Sequence, residues 1–248
     1  KFLGGPGSSG ILIFRIKMHK NKIADNTGGG TVDWTNPWGE HKYIDDIETR
    51  EDGGTPGFLQ TIRVALAMKL KEQMGVDNIQ KREIELTNIL LPEINEIPSL
   101  HVLEPEIDNR LCIVSFYSET LHYNLIVRLL NDKFGIQARG GCSCAGTYGH
   151  ILLNVDKNQS ESITNKIDQG DLSEKPGWVR ISLHPTSTNE EAEYIVDALK
   201  QITKKASEWS KDYEFDFLTG DHQPKNHLTK YVTLSNFEPL PSEGLCVS

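Results

Sequence analysis

IQARGGCSCAG, residues 136–146, combines a short apolar segment with a turn rich in glycine and cysteine. Residues 136–139 are predicted to form a short strand, and residues 140–146 the turn that follows it. Upstream, residues 123–134 have the periodicity of a helix that Gly135 ends, as glycine commonly does. Downstream, residues 178–183 (WVRISL) have the β-branched and aromatic character of a strand. The cysteine-rich turn is therefore expected between elements of one small, mixed domain.

The flanks extend this pattern in both directions. Residues 111–116 (LCIVSF) predict another strand, and Thr188 with Glu191 three residues later predicts a capping box at a helix start. That helix would bury an apolar stripe made of Ala192, Ile195, Val196, Leu199 and Ile202. Strands that alternate with helices on one face predict a small α+β domain with a mainly antiparallel sheet.

The first part of the chain is less regular. Residues 10–16 (GILIFRI) are predicted to form a buried strand, and residues 20–56 a long loop. A helix should begin at Phe58 and stop at Gly75, and a second should cover residues 77–96 with Leu86, Leu90 and Ile94 on one face. Residues after 209 show little periodicity and predict a tail or wrapping arm, whose aromatic residues favour packing on the protein body.

Composition excludes several classes of protein. A net charge of −9 over 248 residues argues against nucleic-acid binding, which needs a concentrated basic face. No apolar run approaches the roughly 18 residues that a membrane helix requires, and the first residues lack a signal-peptide pattern. Four cysteines are too few for a disulfide scaffold, so the expected compartment is the reducing cytoplasm. The chain opens on Lys1 inside a glycine-rich segment, and we expect it to be part of a longer protein.

Four segments carry residues suited to chemistry, and each also has a purely structural interpretation. Lys1 stands beside close-packed glycines, which suits a Schiff-base lysine, whereas composition alone favours a charge on a flexible linker. Thr55 lies in Gly-Gly-Thr-Pro-Gly before a helix, where a phosphate could bind, although such a threonine can simply cap the helix.

The other two segments belong to the second half of the chain. Arg139 precedes Cys142 and Cys144 in the glycine-rich turn and could stabilise a thiolate, whereas a buried structural cysteine is the alternative. A metal site is not expected there, because no second Cys/His cluster with ligand spacing accompanies the pair. Arg180 lies in an apolar strand and needs an anionic partner, which could be a ligand carboxylate or a structural salt bridge.

The order and spacing of these segments resemble the class V aminotransferase family of pyridoxal-phosphate (PLP) enzymes, and within it the group II cysteine desulfurases. KFLGGPGSSGILIF at residues 1–14 resembles the segment that begins at the cofactor lysine. Gly28-Gly29-Gly30 and REDGGTP at residues 50–56 resemble the family's glycine triplet and its R-x-E-x-G-T-P region. IQARGGCSCA at residues 136–145 resembles the desulfurase cysteine loop, and the strand with Arg180 resembles the strand that binds the substrate carboxylate.

The resemblance implies an α/β fold, the fold type I of PLP-dependent transferases. The end of the large domain would occupy residues 1–75, a small α+β domain residues 76–209, and a C-terminal extension residues 210–248. The resemblance also implies a homodimer that acts on a small amino acid, with a sulfur-acceptor protein as a possible partner. No metal, nucleic-acid or membrane partner is expected.

The family's functional residues transfer to five positions of this chain. The resemblance implies that Lys1 binds PLP covalently, that Thr55 contacts its phosphate, and that Cys144 attacks the sulfur of L-cysteine. Arg180 would bind the substrate carboxylate with the assistance of Arg139. Desulfurases usually place histidine before the nucleophile, where this chain has Ser143. An aminotransferase-like enzyme acting on another amino acid, or a truncated non-catalytic domain, are the alternatives.

Overall fold

The computed structural model describes residue 5, residues 7–107 and residues 109–226. The chain divides into two compact units, residues 1–82 and residues 83–248. Lys1, the predicted cofactor lysine, lies outside the described residues. The predicted domain boundaries at residues 75 and 209 stay predictions.

The first unit contains a small hairpin and two helices, followed by the start of a third helix. Its elements are β1 (Val32–Thr35), β2 (His41–Tyr43), α1 (Ile47–Glu51), α2 (Phe58–Met74) and the first residues of α3 (Val76–Asn95). The hairpin and α1 lie inside residues 20–56, so the prediction of one long loop is wrong. Each element there is too short to show a hydrophobic period, and turn residues dominate the segment.

The predicted buried strand at residues 10–16 is also wrong. Residues 11–15 form no strand, a 3-10 turn covers Ile16–Met18, and the side chains of Leu12 and Ile13 are 83% and 90% exposed. A strand exists only where its backbone groups pair with a neighbouring strand. Within the described residues nothing pairs with this segment, so its β-branched composition alone does not make it a strand.

The second unit is built around a four-stranded antiparallel sheet that helices cover. In chain order after α3 its elements are β3 (His101–Val102), β4 (Ile113–Tyr117), α4 (Tyr123–Phe134), β5 (Arg139–Gly141), α5 (Gly146–Leu152), α6 (Lys157–Asp168), β6 (Trp178–Ser182), α7 (Asn189–Trp209), β7 (Tyr213–Asp216) and β8 (Asp221–Pro224). The strand order is β3-β4-β6-β5, and every neighbouring pair is antiparallel. The predicted α+β arrangement is confirmed.

One hydrophobic core joins this sheet to α3, α4 and α7. Phe116 on β4, Leu90 on α3 and Leu199 on α7 are fully buried. The predicted stripe on α7 is buried along its whole length, and Thr188 and Glu191 form both bonds of the capping box. Gly135 ends α4 in the left-handed conformation, as predicted.

Three local predictions in the second unit need correction. The strand expected at residues 136–139 is displaced and runs from Arg139 to Gly141, because its register is set by pairing with β6. Helices α5 and α6 were not predicted, since their polar sequences lack a clear apolar stripe. Residues after 209 include the hairpin β7–β8, and Tyr213 is buried there, which confirms that this aromatic residue packs on the protein.

Candidate active site

The cysteine-rich segment forms a tight turn between β5 and α5. The Ala145 N–H donates to the carbonyl oxygen of Cys142 at 2.9 Å, and the central residues Ser143 and Cys144 have φ of 53° and 62°. Positive φ at both central residues is the signature of a type I′ turn, which normally selects glycine or asparagine. Each such residue costs on the order of 1 kcal/mol, and strain of this kind concentrates at functional sites.

Glycine is required before the turn because α4 packs directly against that backbone. A Cβ atom on Gly140 would lie 2.5 Å from Asn124 Oδ1 and 3.0 Å from the Tyr123 ring. A Cβ on Gly177, at the entry to β6, would lie 2.6 Å from the same ring. The buried Tyr123 therefore fixes the approach of β5, which precedes the turn, and of β6, which pairs with β5.

The two thiols of the turn lie in different surroundings. Cys144 is exposed, and its Sγ accepts a hydrogen bond from Arg139 Nη2 at 3.6 Å. Cys142 is half-buried. An exposed thiol is accessible to a substrate, and the contact with Arg139 places a cationic group at the sulfur of Cys144. Of the two, Cys144 has the surroundings of a nucleophile.

Arg139 and Arg180 lie directly opposite each other in the pairing of β5 with β6. Residues paired in this way present their side chains on the same face of the sheet, about 5 Å apart at Cβ, and two like charges there repel. Arg180 Nε is buried without a hydrogen-bond partner, and neither arginine forms an ion pair within the described residues. A carboxylate bound between them would remove the repulsion and satisfy that donor.

Arg180 lies on the face of β6 opposite the core. Val179 and Ile181 point into the hydrophobic core, whereas Arg180 and Ser182 are half-buried on the other face. The structure thus brings three predicted residues, Arg139, Cys144 and Arg180, into one region of the second unit.

Thr55 belongs to the first unit, in a loop formed by two glycine segments in backbone contact. A Cβ on Gly28 would lie 2.9 Å from backbone atoms of both Gly53 and Gly54, and the Gly54 N–H donates to Gly29 O at 2.8 Å. Thr55 follows directly and is exposed. The helix cap is Gly57, which has no side chain to cap α2, so the interpretation of Thr55 as the cap is wrong. Its hydroxyl and the first N–H groups of α2 suit a phosphate.

A buried arginine, Arg50, fixes the chain just before this loop. Its guanidinium donates to the carbonyl oxygens of Ile44 at 3.2 Å and Asn21 at 3.0 Å, and Nη2 lies 3.3 Å from His19 Nε2. Glu51 accepts from the Asp25 N–H, which together with His19 and Arg50 lowers the pKa of that carboxyl. Sequence reasoning quoted Arg50 within a motif but missed this role. The sequence signal for this structural role is an arginine followed by acidic residues directly before a pair of glycines.

A pair of histidines beside the turn was also missed. The rings of His122 and His222 lie 5.5 Å apart between centroids, and His122 stacks on Tyr123 at 4.3 Å. His122 Nε2 and His222 Nδ1 are both buried without a partner in the described residues. Burial, followed by the charge of His222, lowers the pKa of His122 to about 4, and burial lowers the pKa of His222. His122 is therefore neutral at pH 7.

The described part of the chain contains neither a cluster of metal ligands nor a helix suited to a membrane. No group of three or more histidine, cysteine or acidic side chains there is arranged to hold a metal ion. None of the helices described combines the length and apolar character needed to cross a bilayer.

The chain is similar to known proteins. The chain is 25% identical over 211 residues to a probable cysteine desulfurase of Staphylococcus aureus (strain COL), a match over 85% of this chain and 44% of the relative. A probable cysteine desulfurase of Staphylococcus epidermidis (strain ATCC 12228 / FDA PCI 1200) is 26% identical over the same length and coverage. The chain thus spans less than half the length of these relatives.

Solved structures share the fold. The apo cysteine desulfurase of Thermococcus onnurineus NA1 matches with a TM-score of 0.54 at 24% identity, over 73% of this chain and 39% of that chain. The cysteine desulfurase CsdA of Escherichia coli matches with a TM-score of 0.52 at 16% identity, over the same shares of the two chains. These likenesses show the α/β fold of that group of enzymes. The family model for class-V aminotransferases matches residues 1–195, and the chain therefore belongs to this family.

Proposed function

We propose that the protein containing this chain is a PLP-dependent cysteine desulfurase, which converts L-cysteine to alanine and leaves the sulfur as a persulfide on Cys144. One observation carries the proposal. An exposed thiol in a strained turn receives a hydrogen bond from Arg139, on a strand where Arg139 directly opposes Arg180. Family membership and the desulfurase relatives support the same reaction.

Among the described residues, those around Thr55 fit the phosphate group of the cofactor. Thr55 and the uncapped start of α2 offer a hydroxyl and backbone N–H groups to the PLP phosphate. Lys1, which lies outside the described residues, is proposed as the covalent attachment point. When bound, PLP withdraws electron density from the α-carbon of the amino acid.

The arginine pair would orient the substrate. Arg180 is proposed to bind the carboxylate of L-cysteine, which would satisfy its buried Nε, and Arg139 to assist from the neighbouring strand. A planar guanidinium forms paired hydrogen bonds with a carboxylate, a geometry that lysine cannot reproduce. This contact would direct the thiol of the substrate toward the exposed turn.

Cys144 would then act as the nucleophile. Its thiolate attacks the sulfur of the substrate, the carbon–sulfur bond breaks, and the electron pair stays on carbon. A proton delivered by Lys1 completes alanine. Arg139 stabilises the thiolate before the attack, since its Nη2 already donates to Cys144 Sγ. By resemblance, the enzyme would be a homodimer in which Thr55 contacts the cofactor of the neighbouring subunit, and would pass sulfur to an acceptor protein.

The proposal is tested by assaying sulfide and alanine from L-cysteine and a reductant, using the complete polypeptide loaded with PLP. Cys144→Ala should lower sulfide formation at least 100-fold, while Cys112→Ala, a change at a buried core cysteine, should retain activity in the folded protein. Alanine and sulfide formed equally well without Cys144 would refute the nucleophile. A PLP-loaded protein that transaminates another amino acid and releases no sulfide would favour the aminotransferase alternative.

Arg180→Lys separates binding from chemistry. Loss of a bidentate, charge-assisted contact costs about 1.5–3 kcal/mol, so KM for L-cysteine should rise roughly 10- to 100-fold. Arg128→Lys changes a surface arginine that pairs with Asp132 at 2.8 Å and should leave KM unchanged. Equal KM values for the two variants would remove Arg180 from the substrate site.

A further inference from the structure

A cavity of about 180 Å³ lies behind the cysteine turn. It lies between α5, α6 and the start of β6 and is partly open to solvent, and its wall includes Cys142, His150, Leu153, Ile163, Ile167 and Trp178. The apolar side chains in this wall make the space suited to a small, weakly hydrated group. The nucleophile Cys144 is exposed, whereas Cys142 forms part of the cavity wall.

Defined contacts hold the wall of this cavity in place. His150 Nδ1 lies 2.8 Å from Gly146 O, and His150 Nε2 lies 2.9 Å from Ser160 Oγ, which ties α5 to α6. Gly149 is buried, and a Cβ there would lie 3.2 Å from the Trp178 ring and 3.9 Å from Cys142 Cβ. A glycine at this position therefore leaves room between the ring and the thiol.

The two thiols lie two residues apart in one turn. They occupy the first and third positions of one turn, and two peptide units of 3.8 Å hold their Cα atoms within about 7 Å. Attack of a thiolate on a sulfur–sulfur bond is the ordinary route of exchange between thiols. The turn thus places a protected thiol next to an exposed one.

We propose that Cys142 is a second sulfur-carrying residue, which takes the outer sulfur from the Cys144 persulfide and holds it in the cavity. The Cys142 thiolate attacks that outer sulfur and forms a new sulfur–sulfur bond. The bond to Cys144 Sγ breaks, and its electron pair returns to Cys144, whose thiolate again accepts from Arg139. The negative charge thereby moves from Cys142 to Cys144, and the proton that Cys142 loses goes to solvent, so no oxidant or reductant is consumed.

This inference rests on the proposed desulfurase activity, which loads Cys144 in the first place. Its consequence is kinetic. Sulfur on the exposed Cys144 is open to any thiol in solution, whereas sulfur on the half-buried Cys142 would lie against the apolar wall of the cavity and be less accessible. Transfer would therefore lengthen the lifetime of the bound sulfur and free Cys144 for a second turnover.

The test follows isotopically labelled sulfur from L-cysteine in the complete polypeptide loaded with PLP. The reaction is quenched with iodoacetamide at increasing times, and tandem mass spectrometry locates the extra sulfur on Cys142 or Cys144. We expect label on Cys144 first and on Cys142 later, with Cys112 unlabelled as the internal control. In Cys142→Ser, label should stay on Cys144 and be removed by added dithiothreitol at least several-fold faster than in the unaltered protein. Cys142→Ala should behave in the same way.

The outcomes separate the two proposals. Label that reaches Cys144 and never Cys142 would overturn the transfer and leave the desulfurase activity intact. A Cys142–Cys144 disulfide in place of a Cys142 persulfide would also overturn it, because attack on the inner sulfur releases hydrosulfide instead. Label on Cys142 in the Cys144→Ser variant would contradict the order of the steps. Label on neither thiol would refute the desulfurase proposal as well.

Discussion

The two compact units of this chain are stabilised by different means. In the second unit a continuous hydrophobic core joins the sheet to three helices, and residues such as Phe116 and Leu90 are fully buried. Among the described residues of the first unit, the buried ones are Ala24, Thr31 and Arg50. That unit relies on backbone contact between glycines and on polar contacts of one arginine. The proposed nucleophile therefore belongs to a unit ordered by a hydrophobic core, whereas the proposed phosphate loop is held by backbone and polar contacts.

Removal of a core side chain should give the largest loss of stability. Phe116→Ala deletes a fully buried ring from β4 and should cost about 3–5 kcal/mol of unfolding free energy, because the cavity refills incompletely. The matched change Leu66→Ala on α2 removes a side chain that is 63% exposed and should cost at most about 0.5 kcal/mol. Denaturant titration of the complete polypeptide measures both. Similar losses would mean that the units do not differ as described.

A glycine substitution tests whether backbone contact between glycines orders the first unit. Gly28→Ala would place a Cβ 2.9 Å from two backbone atoms of Gly53 and Gly54. Backbone cannot move aside as a flexible side chain does, so we expect a loss of about 1–3 kcal/mol. Gly29→Ala is the control, because nothing lies within 4 Å of its added Cβ. Equal stability of the two variants would show that the glycine contact does not order the loop.

A pH titration compares the histidine pair with the rest of the second unit. The pKa of His122 falls from 6.5 to about 4 on folding, so the native state resists protonation that the unfolded state accepts. Stability is full above pH 6.5 and declines as pH falls toward 4. Because the ring is partly exposed, we expect a loss of roughly 1 kcal/mol, well below the full value of the shift.

Other groups near His122 also carry charge, so a variant without this imidazole is the control for the titration. His222 and Tyr123 stack around the ring, and the charge of Asp221 acts on both of these neighbours. His122→Asn keeps an acceptor for the Asn124 N–H at the start of α4 and cannot titrate. The part of the acid sensitivity due to His122 should vanish in this variant. An unchanged pH dependence of the unfolding free energy would assign it to other groups.

The same contrast explains how much could be predicted from the sequence. Helices α3 and α7 were predicted with their buried faces, because a stripe repeated at helical spacing encodes burial directly. For α4, the helix and its end at Gly135 were predicted, without its buried face. The exposed side chains of α2 follow the same spacing, so the period locates a helix without saying what covers its face. The strand expected at residues 10–16 is wrong because strand pairing depends on distant residues.

The candidate site was predictable in part. Arg139, Cys144 and Arg180 could be selected by residue type and motif, but their meeting depends on the register of β5 with β6. The left-handed turn, the cavity beside Cys142 and the partners of Arg50 have no periodic signature. They arise from close packing between segments far apart in sequence, and a single amino-acid sequence does not show which segments pack together.

We propose that the first unit binds the PLP phosphate and that the second unit carries the nucleophile. Two variants of the complete polypeptide, Thr55→Val and Cys144→Ala, test this division most directly. PLP affinity is measured by titration of its absorbance, and sulfide release is measured on protein saturated with PLP. Thr55→Val should weaken PLP binding roughly 10- to 100-fold through loss of a hydrogen bond to a charged group, and saturated protein should still release sulfide. Cys144→Ala should bind PLP normally and release no sulfide. The reverse pattern, or loss of both properties in either folded variant, would contradict the division of function between the two units.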